Sequence, residues 1–92
     1  MIRSFRHAGL ERFFLTGSKA DIQPAHAKKL QLQLTSLDGS TEPRDMGIAG
    51  WQLHPLEDNL KDHWSIKVNG NWRKPFRFEG GDAILVDYRD YH

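Results

Sequence analysis

The chain has 92 residues, 38% of them hydrophobic, with 13 basic and 12 acidic side chains for a formal net charge of +1 and no cysteine. That length fits one domain over 1–92, with a small core and little room for a deep cavity, so any site is expected to be shallow and suited to a polymer. The missing cysteines exclude disulfides, thiolate metal sites and a cysteine nucleophile; no stretch reaches the ~20 apolar residues of a membrane span and no signal-peptide run opens MIRSFRHAGLERFF, so a cytoplasmic protein with no membrane attachment is expected.

Residues 2–5 are short and alternating, as in a first strand. Leu10, Phe13 and Phe14 follow helical spacing, with Gly17 as the stop. Pro24 suits the first position of a second helix. In it Ala27, Leu30, Leu34 and Leu37 form one apolar stripe, while Lys28, Lys29, Gln31, Gln33 and Ser36 are expected to point away. Asp38-Gly39 ends that helix, and Leu32 lies off the stripe. Residues 39–50, with three glycines and a proline, read as an irregular connection.

From Trp51 the period becomes two. Trp51 and Leu53 alternate with Gln52 and His54; Trp64, Ile66 and Val68 with Ser65, Lys67 and Asn69; Trp72, Phe76 and Phe78 with Arg73 and Arg77; Ile84, Val86 and Tyr88 with Leu85, Asp87 and Arg89. Turn residues at 69–71 and 80–82 separate the last three runs, which predicts an antiparallel sheet of hairpins. Keeping the apolar residues on one face demands that Val68 oppose Trp72, and Phe78 oppose Ile84, each across a three-residue loop. Pro75 lacks a ladder donor, so a bulge or missing hydrogen bond is expected there.

The two halves of the chain carry +2 and −1. Strong nucleic-acid binders show a larger basic excess, so an RNA-binding case has to rest on where the charges point. The face opposite the core is expected to carry His54, Lys67, Arg73, Arg77, Arg89 and Tyr91. Metal-free RNA cleavage needs a base for the ribose 2′-hydroxyl, positive charge for the transition state and an acid for the leaving 5′-oxygen. Histidine suits the acid and base roles. Arginine suits the phosphate. His54, Arg73, Tyr91 and His92 supply these types. The five histidines lack H-x-x-x-H and H-E-x-x-H spacing, and no nucleotide-binding glycine loop occurs, so neither a catalytic metal nor a cofactor is expected. The three tryptophans read as core by their period.

WQLHPL, HWSIKVNGNWRKPFRF and GGDAILVDYRDYH, in this order, with MIRSFRHAGLERFF and LTSLDGSTEPRDM before them, resemble the HigB family of the RelE superfamily of toxin–antitoxin endoribonucleases. The combination of L-H-P-L, W-S-I-x-V-x-x-N-W-R and a terminal D-Y-x-D-Y-H is specific, and the likeness covers nearly the whole chain. It implies an α+β, RelE-like fold of order βααβββ, with two N-terminal helices on a small antiparallel sheet. It implies cleavage of messenger RNA in the ribosomal decoding site and neutralisation by a HigA-like helix-turn-helix antitoxin. Operator DNA is then bound only through the toxin–antitoxin complex. It also implies a site of His54, Arg73, Asp90, Tyr91 and His92. The two histidines transfer protons, Arg73 stabilises the phosphate, Tyr91 positions the substrate and Asp90 tunes a neighbour. Lys67, Arg77 and Arg89 are the added RNA-binding candidates. One departure stands out. Some relatives carry a lysine after L-H-P-L; here Glu57 and Asp58 follow, with Lys61 or Lys67 as the substitute cation. Glu57 motivates the alternative of a non-catalytic protein that binds its antitoxin or the ribosome. A generic single-stranded RNA module is the third reading.

Overall fold

The amphipathic patterns above resolve into α1 (Ala8–Thr16), α2 (Ala27–Asp38), β1 (His54–Pro55), β2 (Trp64–Asn69), β3 (Trp72–Glu79), β4 (Asp82–Ile84) and β5 (Arg89–Asp90). The computed structural model describes residues 1–91. The strands run β1-β2-β3-β4 in one antiparallel sheet, and β5 pairs with the first half of β3. The buried residues of both helices and of the sheet form one core, around Leu10, Leu30, Leu34, Leu37, Ile66, Val68, Phe76 and Val86. This is the expected α+β arrangement. Among the described residues no helix is long and apolar enough to cross a membrane.

In α1, the His7 ring caps the helix, its Nδ1 accepting the Leu10 N–H at 2.9 Å. Gly17 ends it in the left-handed region at φ 80°, as expected. Gly9 is needed for close approach, because a Cβ there would lie 2.3 Å from the Cβ of Asp21. Gly9→Ala is therefore expected to cost about 1–3 kcal/mol through overpacking. An unchanged urea midpoint would contradict this.

A 3-10 turn, Pro24–His26, precedes α2, so the proline opens that turn and the helix proper starts three residues later. Ala27, Leu30, Leu34 and Leu37 are buried as expected, and Leu32 is exposed. Gln33 corrects the sequence reading: it is fully buried and its Nε2 donates to the Lys67 carbonyl at 2.8 Å. It sits three residues after Leu30 and four before Leu37, so it shares their face, and its amide ties α2 to β2. The irregular connection contains a 3-10 turn, Pro43–Met46, that buries Met46.

The expected first strand is reduced to two isolated parallel bridges, Ile2 to Ala83 and Phe5 to Val86. Between these partners Leu85 takes φ 54°, which interrupts any continuous ladder. The hairpin registers also differ from expectation. Asn69 opposes Trp72 across a two-residue Gly70-Asn71 turn, and the odd residue is absorbed by a bulge at Val68. The bulge lets Val68 reach the core although the turn is short. At the next hairpin Phe78 opposes Ala83, not Ile84, across Gly80-Gly81, whose φ of 59° and 86° suit a tight two-residue turn. Ala83 therefore enters the core, and Ile84 opposes Arg77 on the other face.

Pro75 pairs with Ser65 without a bulge. Its carbonyl accepts the Asp87 N–H at 2.9 Å, on the side where β4 has ended and β5 has not begun. A proline costs little there, because the N–H it lacks points at the break between those two strands. Lys74 occupies an apolar slot of the alternation. It opposes Ile66 on the core side, is fully buried, and its Nζ has no hydrogen-bond partner among the described residues.

Candidate active site

Directly opposed residues of antiparallel strands share a face, with Cβ atoms roughly 4.5–5.5 Å apart. Two rows on the open face follow from the register. One runs His54, Ser65, Pro75. The next runs Lys67, Arg73, Arg89 across β2, β3 and β5. Arg77 lies on the same face further along β3, opposite Ile84. Tyr91 follows β5; its N–H donates to the Asn71 carbonyl at 2.9 Å and the Arg89 guanidinium lies 5.4 Å from its ring centre. The sheet thus brings together His54, Lys67, Arg73, Arg89 and Tyr91.

Asp90 does not join them on that face. It opposes Trp72, and with His26, Asn69, Gly70 and Asn71 the two line a shallow pocket of about 380 Å³. The reason is the strand period: Arg89 faces the open side, so the next residue faces the helices. The His92 assignment lies outside the described residues. Glu57 is exposed and leads into the 3-10 turn Asp58–Leu60.

Arg73 is held on three sides. Its Nε donates to the Ser65 hydroxyl at 2.8 Å, and its Nη2 donates to the Gln52 carbonyl at 2.7 Å and the Ser65 carbonyl at 3.3 Å. Nη1 has no partner among the described residues, so its two N–H groups are the free donors. Burial lowers the guanidinium pKa and the neighbouring Tyr91 phenol raises it. The group stays protonated at any physiological pH. The His54 Nδ1 lies 2.9 Å from the Pro55 carbonyl. A carbonyl only accepts, so Nδ1 carries the hydrogen, and in the neutral ring Nε2 keeps the lone pair.

β5 rests on a buried polar–aromatic cluster. The Tyr88 hydroxyl accepts the Gln23 N–H at 3.3 Å and shares a hydrogen bond with the His26 Nδ1 at 2.7 Å. The Trp72 and Tyr88 ring centres are 4.5 Å apart. Burial, with a smaller contribution from Lys29, lowers the His26 pKa, and burial raises that of Tyr88, so both stay neutral at pH 7. Sequence reasoning passed over Ser65, Gln52 and Lys74. The alternation placed Ser65 on the open face, between Trp64 and Ile66, but carried no sign of a role for it. Among the described residues no three His, Asp or Glu side chains converge as a metal-binding group would require.

The family described as "RelE-like toxin of type II toxin-antitoxin system HigB" matches residues 3–92. Fold and match together define a RelE-like toxin of a type II toxin–antitoxin system. Endoribonuclease HigB of Proteus vulgaris is 36% identical over 92 residues, covering 100% of both chains. The chain belongs to the HigB-like toxin family.

Proposed function

We propose that this toxin is an endoribonuclease that cuts messenger RNA on the translating ribosome, without a metal, by attack of the ribose 2′-hydroxyl. The name of the Proteus vulgaris relative supports endonucleolytic RNA cleavage. The observation that carries the reading is the row Lys67, Arg73, Arg89. Like charges directly opposed across strands destabilise a sheet by up to ~1 kcal/mol per pair. Among the described residues, partial relief comes from Asp87, at 4.0 Å from Arg89, and from the Tyr91 ring, whose centre lies 5.4 Å from the Arg89 guanidinium. A bound phosphate turns that repulsion into attraction.

In this reaction His54 Nε2 takes the 2′-hydroxyl proton. The 2′-oxygen attacks phosphorus, and the bond to the 5′-oxygen breaks. The leaving oxygen takes a proton from an acid, for which His92 is the candidate. The products are a 2′,3′-cyclic phosphate and a 5′-hydroxyl. Arg73 Nη1 neutralises the charge that grows on the phosphoryl oxygens. Lys67, Arg77 and Arg89 hold the flanking backbone, and Tyr91 packs against the substrate. Asp90 acts from the helix side of β5, between Arg89 and Tyr91 in the chain. The open, shallow face suits an RNA already held extended by the ribosome. The family implies an antitoxin partner; we assign it to the HigA-like helix-turn-helix type, with operator DNA bound only by the complex, in the cytoplasm.

Brief induction without antitoxin, followed by mapping of new RNA ends, tests this. Cuts within translated codons, bearing 5′-hydroxyls, are expected. Growth arrest with no new ends would make the protein a non-catalytic binder. Cleavage or tight, steeply salt-dependent binding of free RNA would remove the ribosome from the account. His54→Ala is expected to slow cleavage by about 10²–10⁴, the usual loss for a general base.

A further inference from the structure

We propose that Ser65, acting with the backbone carbonyl of Gln52, is the positioning residue that aims the Arg73 guanidinium at the scissile phosphate. The inference rests on the ribonuclease reading above and adds a residue to it. Ser65, the second residue of β2, is fully buried directly between His54 on β1 and Pro75 on β3. A buried hydroxyl costs free energy unless it is hydrogen-bonded. The bond this one makes is to Arg73 Nε, at 2.8 Å. The adjacent carbonyl of Ser65 takes one hydrogen of Nη2 at 3.3 Å, and Gln52 takes the other at 2.7 Å.

Gln52 reaches that position in the left-handed region, at φ 49°. Such a conformation costs a non-glycine residue of order 1 kcal/mol and persists only where the surroundings hold it. Lys67 N–H donates to the Trp51 carbonyl at 2.6 Å, which pins the peptide just before it. Three of the five guanidinium hydrogens are thus taken up by the protein, and the plane of the group is set. The hydrogens left are the two on Nη1. With its Nε–Nη2 edge engaged, Arg73 has no freedom to swing into solvent or to offer the phosphate a different edge. The clamp also draws the guanidinium from its own row toward the row of His54, because Ser65 is the cross-strand partner of His54. One serine therefore sets the spacing between the base and the phosphate-binding cation.

Misplacement of a reacting group by about 1 Å can cost ~10²-fold in rate. Ser65→Ala removes one oxygen from a site that alanine fills, and is expected to lower kcat for ribosome-bound message by about 10- to 100-fold with KM changed less than about threefold. Ser65→Thr, which keeps the hydroxyl, should recover most of the loss. The deciding measurement is a double-mutant cycle under single-turnover conditions, with thermal midpoints recorded for each variant. In the Arg73→Ala background, Ser65→Ala should cause no further loss, because the group it positions is gone. If Ser65→Ala cleaves like the unaltered protein, or its loss multiplies with that of Arg73→Ala, the positioning role is wrong. If Arg73→Ala itself cleaves normally, the ribonuclease site is wrong at its base, which is a separate failure.

Discussion

Replacing Arg73 with alanine is expected to slow message cleavage by about 10²–10³, the usual loss for one preorganised electrostatic stabiliser. Arg73 is the middle cation of the row on the open face, and its Nη1 keeps two donors that no described residue takes up. Lysine at this position separates charge from geometry. An ammonium keeps the unit charge but is a point donor on a flexible stem. It cannot bond the Ser65 hydroxyl and the Gln52 carbonyl and still face a phosphate. Arg73→Lys is therefore expected to recover no more than about tenfold of the alanine loss. Rates of defined messages on programmed ribosomes would decide the matter. Retention of more than half the activity by Arg73→Lys would show that charge alone suffices and that the guanidinium clamp is irrelevant.

Lys74→Met is expected to make the protein more stable, by about 1–3 kcal/mol near neutral pH, because it replaces an unsatisfied buried donor with an apolar chain of similar length. Lys74 is fully buried opposite Ile66, its Nζ has no partner among the described residues, and burial pushes its pKa well below the ordinary lysine range. The sign of the pH dependence follows. The unfolded chain holds the lysine proton up to about pH 10.4. The folded protein releases it at lower pH. Between those two points the unfolded state binds one more proton, so stability rises with pH by about 1.4 kcal/mol per unit. Methionine has no such proton. The advantage of the variant should therefore shrink as pH rises toward 10, and be largest once pH falls below the folded pKa. Above pH 10 the buried Tyr88 phenol, whose pKa is raised, begins to oppose the trend. Urea titrations of both proteins between pH 7 and 9.5 would measure the slope difference. Equal slopes would mean that the Lys74 amine finds water or a partner.

Much of the site was legible because its residue types sit in a period-two pattern. His54, Lys67, Arg73 and Arg89 alternate with apolar neighbours, and alternation alone assigns them to the side away from the core. The same rule, applied to the tail, separates Asp90 from Arg73, which a motif taken as a unit conceals. Ser65 was not legible as a positioning residue. Its role depends on a side chain eight positions away folding back over it, and local sequence carries no record of that.

The two helical stripes, the hairpin-rich second half and the cationic character of one sheet face were determined by the sequence alone. They depend on spacing within a single element, and spacing is local. Register, by contrast, was decided by the tertiary structure. The pattern required an odd number of extra residues between Val68 and Trp72, but a three-residue loop and a bulge satisfy that equally, and the fold chose the bulge. Burial of Gln33 and Lys74 was decided there too, since a polar residue on a packed face is placed by what surrounds it. The chain's own periodicity states which residues can share a face; only the packed partners determine which polar group ends up inside, and which arginine is held still.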